Sequence, residues 1–136
     1  RQMRRNFRKP LIIMAPKSLL RNKMAVSRLE EFSGGQFEEI IDETSKLDRS
    51  RVRRVLICSG KVYYELLAER EKNRITDIAI LRLEQYLSVL RRPAHGIART
   101  YPRGVEMVWV QEEPRNNGVY PFIGAKLHYH WPECRN

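Results

Sequence analysis

The feature that most constrains this fold is a change of hydrophobic period at Ser59-Gly60. Before it, Val-Leu-Ile-Cys at residues 55–58 forms a short apolar run, which predicts a strand buried on both faces. After it, four apolar residues recur at one-turn spacing and predict an amphipathic helix. They are Val62, Tyr63, Leu66 and Leu67. This strand–turn–helix unit places its turn at the carboxyl end of a strand, where α/β sheets bind ligands.

The turn itself has two interpretations. Backbone N–H groups at a helix start, together with the positive charge of Lys61, attract phosphate or carboxylate groups. The signal is weak, because the spacing of a P-loop is absent. Alternatively, Ser59 caps the helix, Gly60 turns the chain and Lys61 is solvated. Taken without further context, the residues favour the capping interpretation, because helix starts far outnumber anion sites.

Three further apolar runs have the same length as residues 55–58. They are residues 11–14, 78–81 and 107–110. Prolines at positions 10 and 16 bound the first run, as expected of a strand that begins and stops sharply. Segments with helical patterns separate the runs, so the sequence predicts an α/β fold with one mostly parallel sheet. We expect helices on both faces of this sheet, which makes a three-layer sandwich.

Composition favours one folded domain, since 42% of the 136 residues are hydrophobic and 31% are charged. We expect neither a membrane span nor a secretory signal, because no apolar run has the required length or context. The net charge of +10 indicates a phosphate-bearing or acidic partner. Basic residues cluster at residues 1–9 and 49–54, but aromatic residues are not interleaved with them as a nucleic-acid stacking surface requires. A basic surface facing an acidic neighbouring domain explains the charge equally well.

Cysteine and histidine usage does not favour a disulfide framework or a metal centre. Cys58 is expected in a buried strand and Cys134 in a polar tail, so both are expected as reduced thiols. His128 and His130 together with Cys134 have ligand chemistry, but the tail holds no second cysteine pair. His95 adds no metal pattern, and we predict no metal site in this chain.

Four strings follow one another along the sequence at recognisable spacing. They are RKPLIIMAPKSLLR at residues 8–21, CSGKVYY at 58–64, AILRLEQ at 79–85 and WVQEEPRNNG at 109–118. Together they resemble the C-terminal domain of 2-oxoglutarate dehydrogenase, in its thiamin-diphosphate-dependent decarboxylating component. The resemblance covers about residues 8–127, and transketolase-like relatives share the fold without this set of strings.

The resemblance suggests how the chain is organised. Residues 1–9 are expected to be a basic arm that remains from the link to a preceding domain. Residues 10–127 are expected to be a truncated α/β domain like the C-terminal domain of transketolase, and residues 128–136 an atypical tail. Residues 86–100 and the tail depart from the pattern of the family, which leaves the packing there open.

The resemblance also implies an activity for the parent enzyme. Such enzymes decarboxylate 2-oxoglutarate with thiamin diphosphate and Mg²⁺, then pass the succinyl group to a lipoyl-bearing succinyltransferase component. The cofactor lies between the preceding domains of a homodimer, so we expect no catalytic, cofactor or metal residues here and no activity from this chain alone. The chain is expected to brace those domains and to carry an allosteric site for acetyl-CoA or AMP. The implied location is the bacterial cytoplasm or the mitochondrial matrix.

Residues that follow predicted strands form the candidate effector site, because a parallel sheet gathers such residues at one edge. They are Lys61, Gln111, Glu112, Gly118, Arg21 and Ser27. Lys61 and Arg21 supply positive charge, Gly118 allows close backbone approach, and the Gln111 amide suits an adenine edge. In the alternative interpretation, Glu112 pairs with a nearby arginine and the motif only braces a neighbouring domain.

Two other functions stay open on the sequence alone. One is a separate basic α/β module that binds nucleic acid, which the aromatic pattern does not favour. The other is the C-terminal domain of a different thiamin enzyme, of the transketolase or pyruvate dehydrogenase β type.

Overall fold

The computed structural model describes residues 4–86, 96–97, 99–130 and 134–135, with side chains described up to residue 129. The described residues form five strands: β1 (Ile40–Ile41), β2 (Arg54–Cys58), β3 (Ile78–Leu83), β4 (Glu106–Trp109) and β5 (Cys134–Arg135). The α-helices are α1 (Leu29–Gly34), α2 (Val62–Lys72) and α3 (Tyr120–His130), and short 3-10 helices span Lys17–Arg21 and Arg49–Arg51. The helical segment expected after the run at residues 78–81, to about Arg92, lies partly outside the described residues, and residues up to Leu83 belong to β3 instead.

The strands form one sheet in the order β1-β3-β2-β4-β5. Strand β2 is central and runs parallel to both neighbours, with Val55 opposite Ala79 on β3 and opposite Met107 on β4. Strand β5 is parallel to β4, whereas β1 pairs antiparallel with β3 at the edge. The predicted α/β fold with a mostly parallel sheet is therefore confirmed.

Alternating residues of the strands serve two different cores. Odd-numbered residues of β2 and β3, such as Val55 and Leu81, pack with Ile123 and Leu127 of α3. Even-numbered residues, such as Cys58 and Ile80, pack with α2 on the other face. Because side chains alternate along a strand, an apolar run four residues long can be buried only when both faces are covered. The predicted three-layer arrangement is confirmed in this part of the chain.

Helix α2 begins two residues later than the capping interpretation requires. Its N-cap residue is Lys61, which makes no side-chain capping bond, so the prediction that Ser59 caps the helix is wrong. Gly60 lies at φ +70°, a left-handed conformation that other residues adopt only with strain. The turn uses this glycine to reverse direction between β2 and α2, which moves Ser59 out of the capping position.

A buried ion pair joins the end of α2 to the segment after β1. Arg70 and Glu43 have side chains only 6% and 4% exposed, and Arg70 Nη1 lies 2.5 Å from Glu43 Oε2. Arg70 also donates to the Ile78 carbonyl and Ser45 Oγ, and the Ile80 N–H donates to Glu43 Oε2. Every contact connects neighbouring elements, so the pair fixes α2 and β1 against β3.

Residues 11–14 do not form the predicted strand of this sheet. Residues 8–16 have no regular secondary structure, and the four side chains of the apolar run are exposed. Among the described residues, the edges of the sheet are taken by β1 and β5 instead. The physical reason is that an apolar run specifies burial without specifying which sheet receives it.

Candidate functional site at the carboxyl edge of the sheet

Strands β2, β3 and β4 end at the same edge of the sheet, because they are adjacent and parallel. We refer to it as the carboxyl edge. It is formed by residues 59–61 after β2, residues 84–85 after β3 and residues 110–113 after β4. The position agrees with the place where open α/β sheets bind ligands.

Lys61 connects two elements at the carboxyl edge. Its Nζ lies 2.8 Å from Glu65 Oε1, one turn further along α2, and 3.0 Å from Glu112 Oε1 after β4. Hydrogen bonds to Glu65, and then to Glu112, raise the pKa of Lys61 above its ordinary value. Lys61 is therefore a protonated lysine whose charge two carboxylates already balance. An anion that binds here has to compete with both.

Gln111 organises the loop between β4 and α3. Its Oε1 accepts hydrogen bonds from Trp109 Nε1 at 3.0 Å and from the Tyr120 N–H at 3.1 Å. Its Nε2 donates to three backbone carbonyls, those of Glu113, Pro114 and Asn117. The amide is thus used within the protein at both ends, which differs from the free hydrogen-bonding group that the sequence analysis expects.

Gly118 completes this loop. It lies at φ +66°, and a Cβ there would come within 2.8 Å of Glu113 Oε2 and 3.2 Å of Gln111 Nε2. Both the backbone conformation and the available space favour glycine. The close approach predicted for this residue is therefore toward the protein's own loop, whose shape depends on it.

Arg21 and Ser27 are not brought to the cluster of Lys61, Gln111, Glu112 and Gly118. Arg21 ends the first 3-10 helix and Ser27 precedes α1, and both are exposed. In the described structure, no hydrogen bond or ion pair joins either residue to the other four. They were placed at the edge on the assumption that residues 11–14 form a strand of this sheet, and that strand is absent from it.

Arg82 is a charged residue of the carboxyl edge that the sequence analysis did not identify. It belongs to β3 opposite Cys58, and its guanidinium lies over the ring of Tyr63 at 4.8 Å. Its Nη1 donates to Tyr64 Oη at 3.1 Å. Its Nε is buried and lies 2.6 Å from Glu84 Oε1, close enough for an ion pair but not aligned as a hydrogen bond. The sequence signal for it is a single arginine between Leu81, which ends the apolar run, and Leu83.

Cys58 ends β2 beneath this edge and is fully buried as a free thiol. Burial raises the pKa of the Cys58 thiol to about 12, and the nearby Arg82 charge only partly opposes this. Because the thiolate is the reactive form of cysteine, this residue is part of the core rather than a nucleophile. Cys134 has no described side chain.

The basic cluster at residues 49–54 is largely neutralised within the protein. Arg49 Nη1 lies 2.8 Å from Asp42 Oδ2, and Arg54 Nε lies 2.6 Å from Glu106 Oε2. Arg53 pairs with Asp77. Three of the four arginines thus have carboxylate partners, which removes most of the charge that the nucleic-acid alternative used at this position.

Two further expectations concern metals and membranes. Among the residues that the structure describes, no group of three or more His, Cys, Asp or Glu side chains could hold a metal ion. His95 and the side chains of His130 and Cys134 lie outside those residues. In the same described part of the chain, no helix is both long enough and apolar enough to cross a membrane.

The fold and the carboxyl edge together define a class of protein. It is a three-layer α/β domain in which Lys61 pairs with two carboxylates, beside a loop that the Gln111 side chain holds in place. A family model described as "2-oxoglutarate dehydrogenase C-terminal" matches residues 26–135. The chain belongs to this family. The expected resemblance to this family is thereby confirmed. The match includes three of the four strings, all but residues 8–21, and it also spans residues 86–100 and 128–135, which depart from the expected pattern.

Individual relatives agree with the family. The chain is 47% identical to a 2-oxoglutarate dehydrogenase E1 component of Cupriavidus necator, over 90% of this chain and 13% of that protein. It is 48% identical to the E1 component of Brucella anthropi, over 95% of this chain and 14% of the relative. The protein of the same name from Brucella ovis is 47% identical over the same shares. The chain therefore spans only about a seventh of the length of these relatives.

Proposed function

We propose that this chain is the C-terminal region of a 2-oxoglutarate dehydrogenase E1 component. The observation that carries the proposal is the family match over residues 26–135, together with 47–48% identity to E1 components. In this role the domain braces the preceding domains of a homodimer and regulates them. The enzyme decarboxylates 2-oxoglutarate and passes the succinyl group to a lipoyl-bearing succinyltransferase component.

The proposal assigns no chemical step to residues of this chain. Thiamin diphosphate, held through Mg²⁺, would supply the carbanion chemistry of the decarboxylation. Among the described residues, no group of three or more His, Cys, Asp or Glu side chains could hold a metal ion, and the chain is about a seventh of its relatives' length. We propose that both groups bind in the part of the polypeptide outside this chain. We propose the bacterial cytoplasm as the location, since the relatives are bacterial, or the mitochondrial matrix in a eukaryote.

Activity assays test this division of labour. The longest natural polypeptide that carries this chain should decarboxylate 2-oxoglutarate when thiamin diphosphate and Mg²⁺ are supplied. The 136-residue chain under the same conditions should not exceed a control without protein. Turnover by the short chain would contradict the division, and an inactive long polypeptide would contradict the assignment to this enzyme.

We further propose that the carboxyl edge binds an anionic effector such as acetyl-CoA or AMP. Lys61 supplies the charge at the start of α2, and the edge position supports the assignment. The ligand displaces Glu112, the carboxylate that reaches Lys61 from another element. Gln111 and Gly118 act by holding the adjacent loop, whereas Arg21 and Ser27 join only if the N-terminal segment lies differently in the longer polypeptide.

Substitution of Lys61 tests the effector site. In the long polypeptide, Lys61→Ala should weaken binding of acetyl-CoA or AMP about tenfold or more, because a charge-assisted hydrogen bond to phosphate is lost. Calorimetric titration and the effect of each ligand on the rate measure this. Lys72→Ala is the matched control, since Lys72 is an exposed lysine at the opposite end of α2. Unchanged binding and activation by both ligands would remove Lys61 from the site.

A further inference from the structure

The edge of the sheet at which β2, β3 and β4 begin is strongly basic. We refer to it as the amino edge. It consists of three segments, which are residues 48–54, 73–77 and 99–106. They hold seven arginines and three carboxylates, so their net charge is +4. The amino edge therefore carries a large share of the net charge of +10 of the whole chain.

Hydrogen bonds hold the three segments together. The Arg53 N–H donates to the Asp77 carbonyl at 3.0 Å, and the Glu106 N–H donates to the Arg53 carbonyl at 3.2 Å. Arg49 adds a side-chain contact, since its Nη1 donates to Thr100 Oγ1 at 2.5 Å. The arginines of the amino edge thus belong to one continuous surface rather than to three separate loops.

The carboxylates of the amino edge already have partners. Asp77 and Glu106 pair with arginines of the same edge, and the Asp48 carboxylate accepts hydrogen bonds from Ser50. Four exposed arginines are left, for which the described part of the chain provides no ion pair and no side-chain hydrogen bond. They are Arg51, Arg74, Arg99 and Arg103. Their guanidinium groups are available to the carboxylates of a partner.

The composition of the amino edge is typical of a reversible protein interface. Every basic residue in it is an arginine, and arginine is enriched at protein interfaces whereas lysine is depleted. The large hydrophobic side chains that are exposed in the described part of the chain lie elsewhere, from Phe7 to Phe37 and in α3. Because permanent interfaces are apolar at their core, those two regions suit permanent contacts, and the amino edge suits a charged partner that binds and leaves.

Carboxylates fit this surface better than nucleic acid does. The amino edge has one aromatic residue, Tyr101, whose side chain is buried. Its ring lies 5.1 Å from the Arg49 guanidinium, and its hydroxyl donates to Asp42. No ring of this edge is therefore available to stack on a base. Three of the seven arginines already bind a carboxylate, which is the group that a protein partner would offer.

We propose that the amino edge is a docking surface for an acidic segment of another protein, rich in Asp and Glu. The carboxylates of that segment pair with the four exposed arginines, in the way that Asp77 and Glu106 pair with arginines inside this chain. Charge steers the encounter, and a contact made mainly by exposed charges stays reversible. This partner goes beyond the proposed function, whose effector site is at the opposite edge of the sheet.

Titration of the long polypeptide with poly-L-glutamate tests the docking surface. Arg51→Glu combined with Arg103→Glu should weaken binding about tenfold or more, because both charges of the contact are reversed. Lys17→Glu combined with Lys23→Glu is the matched control. It changes the net charge equally at exposed positions outside the amino edge, and should change the affinity by less than about threefold. Equal losses in the two double variants would assign the binding to net charge and overturn the proposal. No measurable binding would also overturn it, and tighter binding of oligo-dT than of poly-L-glutamate would overturn it in favour of nucleic acid.

Chemical labelling tests whether the amino edge is accessible, without any substitution. Phenylglyoxal, which reacts with accessible arginines, should label Arg51 and Arg103 in the long polypeptide, and mass spectrometry locates the labels. Poly-L-glutamate should slow the labelling of both residues about fivefold or more by covering them. Arg70, whose side chain is only 6% exposed, should stay unlabelled throughout. Unlabelled Arg51 and Arg103 would show that other domains of the polypeptide cover this edge permanently, which would overturn the proposal. Neither measurement uses turnover, so a failure here leaves the proposed function untouched.

Discussion

Two four-residue apolar runs, residues 11–14 and residues 55–58, have almost the same composition and opposite environments. Val55, Ile57 and Cys58 are at most 1% exposed, whereas no residue of the first run is less than 63% exposed. The second run has a strand on each side and a helix on each face. The first has none of these within the described chain. The hydrophobicity of a segment thus indicates that it tends to be buried, whereas the strands and helices available beside it determine whether it is buried.

The energetic difference between the runs is large. Fully burying a Leu, Ile or Met side chain contributes about 1.5–3 kcal/mol relative to leaving it exposed. The N-terminal segment, residues 4–39, forgoes this contribution at several further positions. They are Leu20, Val26, Leu29 and Phe32. We therefore expect substitutions in the sheet to change the free energy of unfolding and identical substitutions in the N-terminal segment to leave it nearly unchanged.

The largest expected contrast concerns arginine. Arg70→Met should lower the free energy of unfolding by about 3–5 kcal/mol, because it leaves the buried Glu43 carboxylate without its partner. Arg21→Met, the same change at an exposed position of the N-terminal segment, should stay within about 0.5 kcal/mol. Urea unfolding of the purified chain measures both. Equal effects would mean that the buried pair does not hold α2 to β1 and β3.

A second contrast compares two isoleucines. Ile57→Ala should cost about 2–5 kcal/mol, since it removes a side chain that is 1% exposed at the centre of the sheet. Ile13→Ala should change the stability of the 136-residue chain by less than about 0.5 kcal/mol, because its side chain is 75% exposed. Thermal and urea unfolding check the pair. A cost at Ile13 in this chain would show that the segment packs on the domain.

Glycine provides a third, smaller contrast. Gly118→Ala should cost about 1–2 kcal/mol, because Gly118 has positive φ and a methyl group would press on the Glu113 carboxylate. Gly34→Ala in α1 should be neutral or slightly stabilising, since a methyl group there meets no atom within 4 Å. Thermal and urea unfolding of both variants measure these changes in stability. If the two variants are alike, the loop after β4 does not require its left-handed glycine.

Acid should affect the sheet through Glu43. Burial acts to raise the pKa of its carboxyl, but hydrogen bonds from Arg70, Ser45 and the Ile80 N–H hold the pKa below the usual 4.5. A carboxyl with a lowered folded-state pKa binds fewer protons when folded, so it contributes stability above its unfolded pKa. That contribution should be lost as the pH falls below about 4.5 toward the folded pKa. Urea midpoints measured from pH 6 to pH 3 check this, and Glu43→Gln should have a shallower acid dependence.

The sequence predicted the parts of the fold that depend on local pattern. Three of the four apolar runs are strands, and Val62, Tyr63, Leu66 and Leu67 do line the inner face of α2. The fourth run, residues 11–14, is exposed and outside the sheet, because periodicity does not reveal which elements a segment pairs with. Arg70 continues the apolar stripe of α2 one turn further, so a basic residue on that stripe was the available signal for the buried pair.

The candidate site was predicted less completely. Lys61, Gln111, Glu112 and Gly118 do come together, because the residues after parallel strands share one edge. The role of Gln111 could not be read from the sequence, since it depends on which carbonyls the loop turns toward the amide. Arg21 and Ser27 were misplaced together with the strand before them. Arg82 was missed because the expected strand ended with the apolar run at residue 81, whereas β3 continues to Leu83.

Hydrogen bonds of the Gln111 side chain close the loop between β4 and α3. One side chain is fastened to the strand end at Trp109, to the loop at Asn117 and to the first turn of the helix at Tyr120. These hydrogen bonds depend on the number of residues in the loop, so an inserted or deleted residue between positions 112 and 117 would break them. For the same reason the parts of the loop move together. A displacement of Glu112, next to Gln111 in the chain, would strain the hydrogen bond that joins Gln111 to Tyr120 at the start of α3.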